Sequence, residues 1–177
     1  MTDIESDATT LCKACGLCCT GHLFAWAKLR SSEMESAKAL GLNVLGSDPK
    51  SRGFSQPCPL WEGECTIYTS PQYPHFCGLY KCKLLKNVMD ETAQLDDALT
   101  VVQQAKSMIQ ELEAFLPATS TTNFRERLIS HIEHEQNAEF QQKAHALLLF
   151  YRDQFGVKDL VDNLEEKEIY KPPQRYS

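Results

Sequence analysis

Apolar residues recur at alternating three- and four-residue steps through the second half of the chain. The first such stripe predicts one helical face that ends at Pro117; its members are Leu95, Ala98, Val102, Ala105, Ile109, Leu112 and Leu116. A second stripe predicts a long helix from about Thr122 to Gly156, with a break at Asn137; its members are Phe124, Leu128, Ile132, Phe140, Ala144, Leu147 and Tyr151. The two helices would form an antiparallel hairpin joined by residues 117–121.

The first half has a weaker pattern. Residues 23–29 alternate loosely enough for a short strand, and Ser32 with Glu35 resembles a capping box that opens a helix over residues 33–40. Residues 46–55 read as a flexible polar loop. Four prolines, Gly63 and two cysteines between residues 57 and 74 leave little room for regular structure.

The sequence therefore predicts a mainly α protein, in which an irregular cysteine-rich N-terminal region packs on a C-terminal helical hairpin or small bundle. Two parts are expected, a cysteine-rich region at 1–89 and an acidic helical region at 90–177, together one compact unit. A shorter helix over 157–166 and a mobile tail at 171–177 would complete the second part.

Charge is divided unevenly between these two parts. The net charge is −6; residues 1–89 carry nine Lys/Arg against eight Asp/Glu, and residues 90–177 carry nine against sixteen. No basic stripe suits a phosphate backbone, so we expect no nucleic-acid partner. The acidic helical face is instead a candidate docking surface for a protein. No apolar run reaches the roughly 18 residues of a membrane span, so no membrane partner is expected.

Eight cysteines lie in the first 82 residues and none in the remaining 95. The acidic start, with Asp3, Glu5 and Asp7, lacks the basic and apolar regions of a secretory signal, which favours the cytoplasm. Thiols are kept reduced in that compartment, so an even cysteine count predicts metal binding before disulfides.

The cysteine spacing indicates the chemistry. A CxxCxxCC run comes first, and its two-residue gaps let a turn aim sulfurs at one point. All eight residues are predicted ligands: Cys12, Cys15, Cys18, Cys19, Cys58, Cys65, Cys77 and Cys82. They would hold an iron–sulfur cluster or zinc, with more than one metal ion.

Adjacent side chains diverge, so Cys18 and Cys19 should serve different metals, or a polynuclear site with a bridging thiolate. One division puts Cys12, Cys15, Cys18 and Cys58 in one site and the other four cysteines in the second. It is suggested by the pair Cys58-Pro59, because ferredoxin runs end in Cys-Pro. His22 and His75 lie near cysteines and are predicted to support them or to pack. His131, His134 and Glu135 are read as helix surface.

From Cys12 to Cys82 the chain resembles the CxxCxxCC cysteine-cluster proteins, described as putative zinc- or iron-chelating domains. The run includes Gly16 of the CxxCGxCC signature, followed by Cys58-Pro59 and then Cys65-Thr-Ile67-Tyr68. The closing motif, Arg-Pro-x-x-Cys-Arg-x-aromatic-x-Cys, corresponds to residues 73–82. Tyr73 and Gly78 stand where that motif has arginines.

The resemblance implies metal chelation by all eight cysteines. Some larger relatives are flagellin lysine methylases with a site like an iron–sulfur centre, but this chain has no Gly-rich nucleotide loop. No Ser/His/Asp order or paired-carboxylate spacing marks an active site, so enzymatic activity is left open. The expected function is metal or cluster binding in electron transfer, redox sensing or metal handling. The alternatives are a structural-zinc interaction module and an accessory subunit of a modifying enzyme.

Overall fold

The computed structural model describes residues 5–46, 48–119 and 122–161. Its helices are α1 (Asp7–Cys15), α2 (Met34–Ala39), α3 (His75–Leu79), α4 (Lys83–Met89), α5 (Leu95–Glu113), α6 (Phe124–His134) and α7 (Ala138–Phe150). The strands described are β1 (Trp26–Lys28), β2 (Val44–Leu45) and β3 (Gly53–Ser55). The prediction of a mainly α protein is confirmed.

Helix α5 follows the first apolar stripe and packs against α7. The second stripe is two helices rather than one long helix. The Asn137 side chain accepts a hydrogen bond from the Phe140 amide at 3.1 Å and caps α7, which separates it from α6 at the predicted break. Asn123 caps α6 in the same way, accepting from the Glu126 amide at 3.0 Å. Side-chain capping thus divides a continuous apolar pattern into two helices.

The beginning of the chain is helical, which the sequence analysis did not predict. Ser6 caps α1 by accepting from the Thr9 amide at 3.3 Å, and Asp7 adds an acidic residue to the first turn. Helix α1 packs against α4 and α5. Leu11 and Leu84 are therefore buried in the same hydrophobic core as Val102 and Leu147. The main core is built from both sides of residue 89.

A three-stranded antiparallel sheet lies beside this core, in the order β1-β3-β2. Strand β3 lies in the segment predicted to be a flexible loop, so that prediction is wrong for residues 53–55. Phe54 pairs with both Ala27 and Val44 and is 1% exposed. A second, smaller core forms around it from Ala27, Leu29, Ala37 and Leu42. Burying the Phe54 side chain stabilises the strand, although its neighbours in the sequence are polar.

The predicted helix over residues 33–40 begins differently. A 3₁₀ turn at Ser31–Glu33 precedes α2, and Glu33 instead of Glu35 reaches back to the chain, accepting from the Arg30 amide at 2.7 Å. Of the predicted helix at 157–166, residues 159–161 are helical; its remainder and the tail at 171–177 lie outside the described residues. Within the described parts of the chain, no helix is both long and apolar enough to cross a membrane.

Candidate metal centre

The CxxCxxCC run begins on α1 and turns sharply at its end. Cys12 and Cys15 belong to α1, and Gly16 caps the helix in the left-handed region with φ of 69°. The chain then tightens into a turn in which the Thr20 amide donates to the Gly16 carbonyl at 2.8 Å. This turn carries Cys18 and Cys19 away from the helix, as required for two neighbouring thiols to reach different surroundings.

Gly16 is needed for a second reason besides its backbone angle. A Cβ atom at this position would lie 2.1 Å from Cζ2 of Trp61, so the indole packs directly on the glycine. Trp61 also pairs with Cys65 in an isolated bridge. The contact therefore joins the first cysteine run to the segment that carries Cys58 and Cys65.

We expect Gly16→Ala to destabilise the fold by about 2–5 kcal/mol, the sum of left-handed backbone strain and overpacking against Trp61. Gly41→Ala is the matched control, because Gly41 also has a positive φ of 82° but nothing within 4 Å of its added Cβ. Strain alone predicts a loss of about 1–2 kcal/mol there. Denaturant unfolding of both variants measures the difference, and equal losses would show that the Trp61 contact contributes nothing.

Four cysteines form a first group at the junction of α1 and α4: Cys12, Cys15, Cys18 and Cys82. Cys82 is the N-cap residue of α4, and its sulfur accepts from the Leu85 amide at 3.4 Å. A negative charge on Cys82 would raise the pKa of each of the other three thiols. All four pack against the main core and line one cavity of about 60 Å³, which Cys19 also borders.

The other four cysteines form a second group beside the sheet: Cys19, Cys58, Cys65 and Cys77. The Cys58 amide donates to the Cys19 carbonyl at 2.7 Å. Negative charge on Cys58 or Cys65 would raise the pKa of both Cys19 and Cys77. Cys58 and Cys77 pack against the smaller core around Phe54. The two groups are neighbours, because Cys12 is electrostatically coupled to Cys65 and Cys19.

This grouping differs from the division suggested by the Cys-Pro pair: Cys58 and Cys82 exchange places. The physical reason is the tertiary packing of the chain. Helix α4 packs on α1 and carries Cys82 to the first group, whereas the backbone bond to Cys19 holds Cys58 near the second. Cys18 and Cys19 interact with largely different cysteines, but charge on Cys19 would also raise the pKa of Cys18, so their assignment to different metals stays a prediction.

Burial is the main influence on every thiol, and it raises the pKa of all eight. It raises the pKa of Cys15 to about 12 and that of Cys77 to about 12, so thiols in these surroundings are neutral at pH 7. Amide groups act against burial: Leu17 hydrogen-bonds Cys15, Leu60 hydrogen-bonds Cys58 and Ile67 hydrogen-bonds Cys65, and each bond lowers the pKa of its thiol. Such N–H donors stabilise thiolates and accompany metal–sulfur sites.

Lysines rather than arginines supply positive charge near the sulfurs. Lys81 lowers the pKa of Cys12, Lys106 that of Cys15 and Lys13 that of Cys65. The side chain of Lys83, next to Cys82, donates to the Asp153 carbonyl at 2.8 Å. The sequence analysis missed Lys13 and Lys106. Lys13 lies inside the cysteine run, a signal that could have been used, whereas Lys106 comes from α5 and depends on the fold.

Two tyrosines lie beside the cysteines, and one of them, Tyr73, stands where the motif that the chain resembles has an arginine. Tyr68 hydrogen-bonds the Cys12 sulfur, which lowers the pKa of that thiol. The Tyr73 ring packs 5.3 Å from that of Tyr68, and burial, with charge on Cys77, raises its pKa. A Cβ at Gly78 would lie 3.7 Å from Tyr73, which is an ordinary contact. Phenol groups thus lie next to Cys12 and Cys77.

The histidines have separate roles. His22 Nδ1 lies 2.6 Å from the Thr20 hydroxyl, and burial lowers the His22 pKa to about 4. With Cys15 and Lys106 it lines a cavity of about 310 Å³. The His75 ring hydrogen-bonds Arg30. His131 packs edge-on against Phe140, with 4.7 Å between ring centroids, and its Nε2 is 3.5 Å from Glu135.

Within residues 5–46, 48–119 and 122–161, no three His, Cys, Asp or Glu side chains are placed so that they could hold one metal ion. The thiols are neighbours whose charges interact, but they are not already arranged around a single metal position. In chemical terms the donor set fits a soft metal, since thiols, amide donors and nearby lysines are all present. Comparison of the chain with protein-family models, curated proteins and solved structures gives no match.

Proposed function

We propose that this chain is a metal-binding cysteine-cluster protein that holds an iron–sulfur cluster or zinc through its eight cysteine thiolates, and that it works in electron transfer, redox sensing or metal handling. The observation that supports the proposal is the proximity of all eight cysteines, each of which interacts electrostatically with at least one other. Four thiolates are the ligand set of a structural zinc ion or of one iron–sulfur cluster.

The energetics of the thiols support the same proposal. Burial disfavours bare thiolates at these positions, and the isolated amide and lysine partners offset only part of that cost. A bound cation supplies the missing positive charge and deprotonates coordinating thiols outright. The eight thiols are partly buried, and metal binding would turn their proximity into folding free energy.

The CxxCxxC spacing and the resemblance to cysteine-cluster proteins favour iron–sulfur over zinc. The first cysteine group also borders an apolar cavity formed with Leu11, Leu23 and Phe155, which limits contact with water. Low solvent exposure and amide hydrogen bonds to sulfur are among the features that set a cluster's reduction potential. These surroundings suit a redox centre.

The experiment that tests the proposal is metal analysis of the full chain purified without oxygen. We expect iron with acid-labile sulfide, broad visible absorption and a spin-resonance signal after reduction. Ala14→Ser is the matched control, because Ala14 is an exposed, non-cysteine position within the run and should keep the metal. A colourless protein with zinc alone would overturn the iron–sulfur form, and a protein with neither metal nor affinity for added iron or zinc would overturn the proposal.

A further inference from the structure

An open cleft of about 610 Å³ lies on the side of the sheet next to α3. Small-molecule sites typically occupy roughly 300–1,000 Å³. Its walls come from β1, the turn that follows it, the residue before β3, and α3. None of its lining residues is a cysteine, although α3 also carries Cys77.

The cleft is positively charged in a chain whose net charge is −6. Lys28, Arg30 and Arg52 line it together with one carboxylate, that of Glu33, which leaves a formal balance of +2 (three cations minus one anion). The hydroxyl groups of Ser31 and Ser32 add further hydrogen-bond donors. Two guanidinium groups, an ammonium and hydroxyls are the donors that recognise phosphate oxygens.

Hydrogen bonds to the backbone fix the chain segments that carry Arg30 and Arg52. The Glu33 carboxylate accepts from the His75 amide at 2.6 Å through Oε1 and from the Arg30 amide at 2.7 Å through Oε2. Both of its oxygens therefore have backbone partners, and the carboxylate joins the turn to α3. The Leu29 amide donates to the Arg52 carbonyl at 3.2 Å, which sets Arg52 beside Leu29.

Arg30 also bonds the His75 ring, a contact that engages one nitrogen of a guanidinium with five N–H donors. The remaining donors can serve a ligand. The framework is therefore formed before any ligand arrives, which reduces the ordering cost of binding.

The cleft also has an apolar wall. Leu29 is buried, Phe76 contributes an aromatic ring, and Leu79 is 65% exposed. A ligand with a ring or an apolar body would cover Leu79 while its anionic end meets the cations. Combined apolar and convergent polar surfaces are typical of small-molecule sites.

We propose that this cleft binds a phosphorylated small molecule, one that carries at least two phosphate charges on a ring-containing body. A nucleoside diphosphate has this chemistry. The three cations of the cleft meet the phosphate oxygens, and the ring packs on Phe76 and Leu79. The proposal does not depend on which metal the cysteines hold.

Calorimetric titration of the full chain, without added divalent metal, tests it with four probes: ADP, pyrophosphate, adenosine and citrate. We expect ADP to bind most tightly, pyrophosphate more weakly, and adenosine not measurably, because it lacks the charge. Citrate, which has carboxylates instead of phosphates, should bind more weakly than pyrophosphate. No binding of ADP or pyrophosphate at millimolar concentration would overturn the proposal, and citrate binding as tightly as pyrophosphate would overturn its phosphate class.

Substitution locates the site. Arg52→Gln should weaken ADP binding about 10- to 100-fold, the cost of one charge-assisted hydrogen-bonding group. Lys28→Gln, at an exposed strand position, is a second variant that should fold even if the first does not. Arg152→Gln is the matched control, because Arg152 does not line the cleft and should leave the affinity within about twofold. Wild-type affinity in both cleft variants would overturn the assignment.

Discussion

Cys18→Ser and Cys19→Ser are each expected to lose bound metal, but from different sites. The two residues are adjacent, yet Cys18 interacts mainly with Cys15 and Cys82, whereas Cys19 interacts mainly with Cys58, Cys65 and Cys77. If each group of four thiolates holds its own metal, each variant should keep about half of the bound metal, and the double variant should keep almost none. Metal content per chain, measured after anaerobic purification and desalting, checks this result.

The two variants should also loosen different parts of the protein. Loss of metal from the second group removes support from Cys58, Cys65 and Cys77, so in Cys19→Ser we expect faster proteolysis within residues 56–77. Loss from the first group weakens the junction of α1 and α4, so Cys18→Ser should speed cleavage near Gly16 instead. Metal binding and folding are coupled in such regions, which gives this pair the largest expected effect in the molecule.

The metal content of the two single variants distinguishes two independent sites from one shared centre. Complete metal loss in each single variant would indicate one polynuclear centre that uses both groups, and would contradict two independent sites. Unchanged metal content and unchanged protease resistance in both would contradict metal binding by the cysteine run altogether. Ala14→Ser, which introduces the same serine side chain into the same run, controls for the hydroxyl group itself.

Helices with a strong hydrophobic periodicity could be predicted from the sequence. Elements that depend on contacts between distant parts of the chain could not. Helix α5 and the break at Asn137 follow from apolar spacing and capping chemistry. Helix α1 was missed because threonines and cysteines are weak helix formers, although Ser6 and Asp7 carry a capping signal. Strand β3 was missed because Phe54 is one apolar residue in a polar segment, and only its pairing with Ala27 and Val44 reveals the strand.

The same limit applies to the site. Spacing identifies all eight cysteines as candidate ligands and indicates that Cys18 and Cys19 diverge. It does not indicate which distant cysteine joins each group, because the packing of α4 on α1 decides the place of Cys82. The positive cleft is also invisible in the sequence, since Lys28, Arg30 and Arg52 meet only when β1 pairs with β3.

Acidification is expected to destabilise the folded protein through His22. Burial lowers the pKa of this residue from 6.5 to about 4, so the unfolded state takes up a proton at a pH where the folded state does not. The stability contributed by neutral His22 is complete above about pH 6.5 and falls as the pH drops toward 4. The full loss is about 3 kcal/mol, which would be a large part of the stability of a protein of this size.

His22→Gln should remove this part of the pH dependence, while His134→Gln, at an exposed position on α6, should leave it unchanged. Denaturant unfolding at pH 7, 6 and 5 gives the slope of unfolding free energy against pH for wild type and for each of the two variants. Metal release at low pH also destabilises a thiolate site, but it affects wild type and both variants alike, so the difference in slope isolates the histidine. Equal slopes in wild type and His22→Gln would show that His22 takes up its proton in the folded state, and that its contacts with Thr20 and Phe124 tolerate the charged ring.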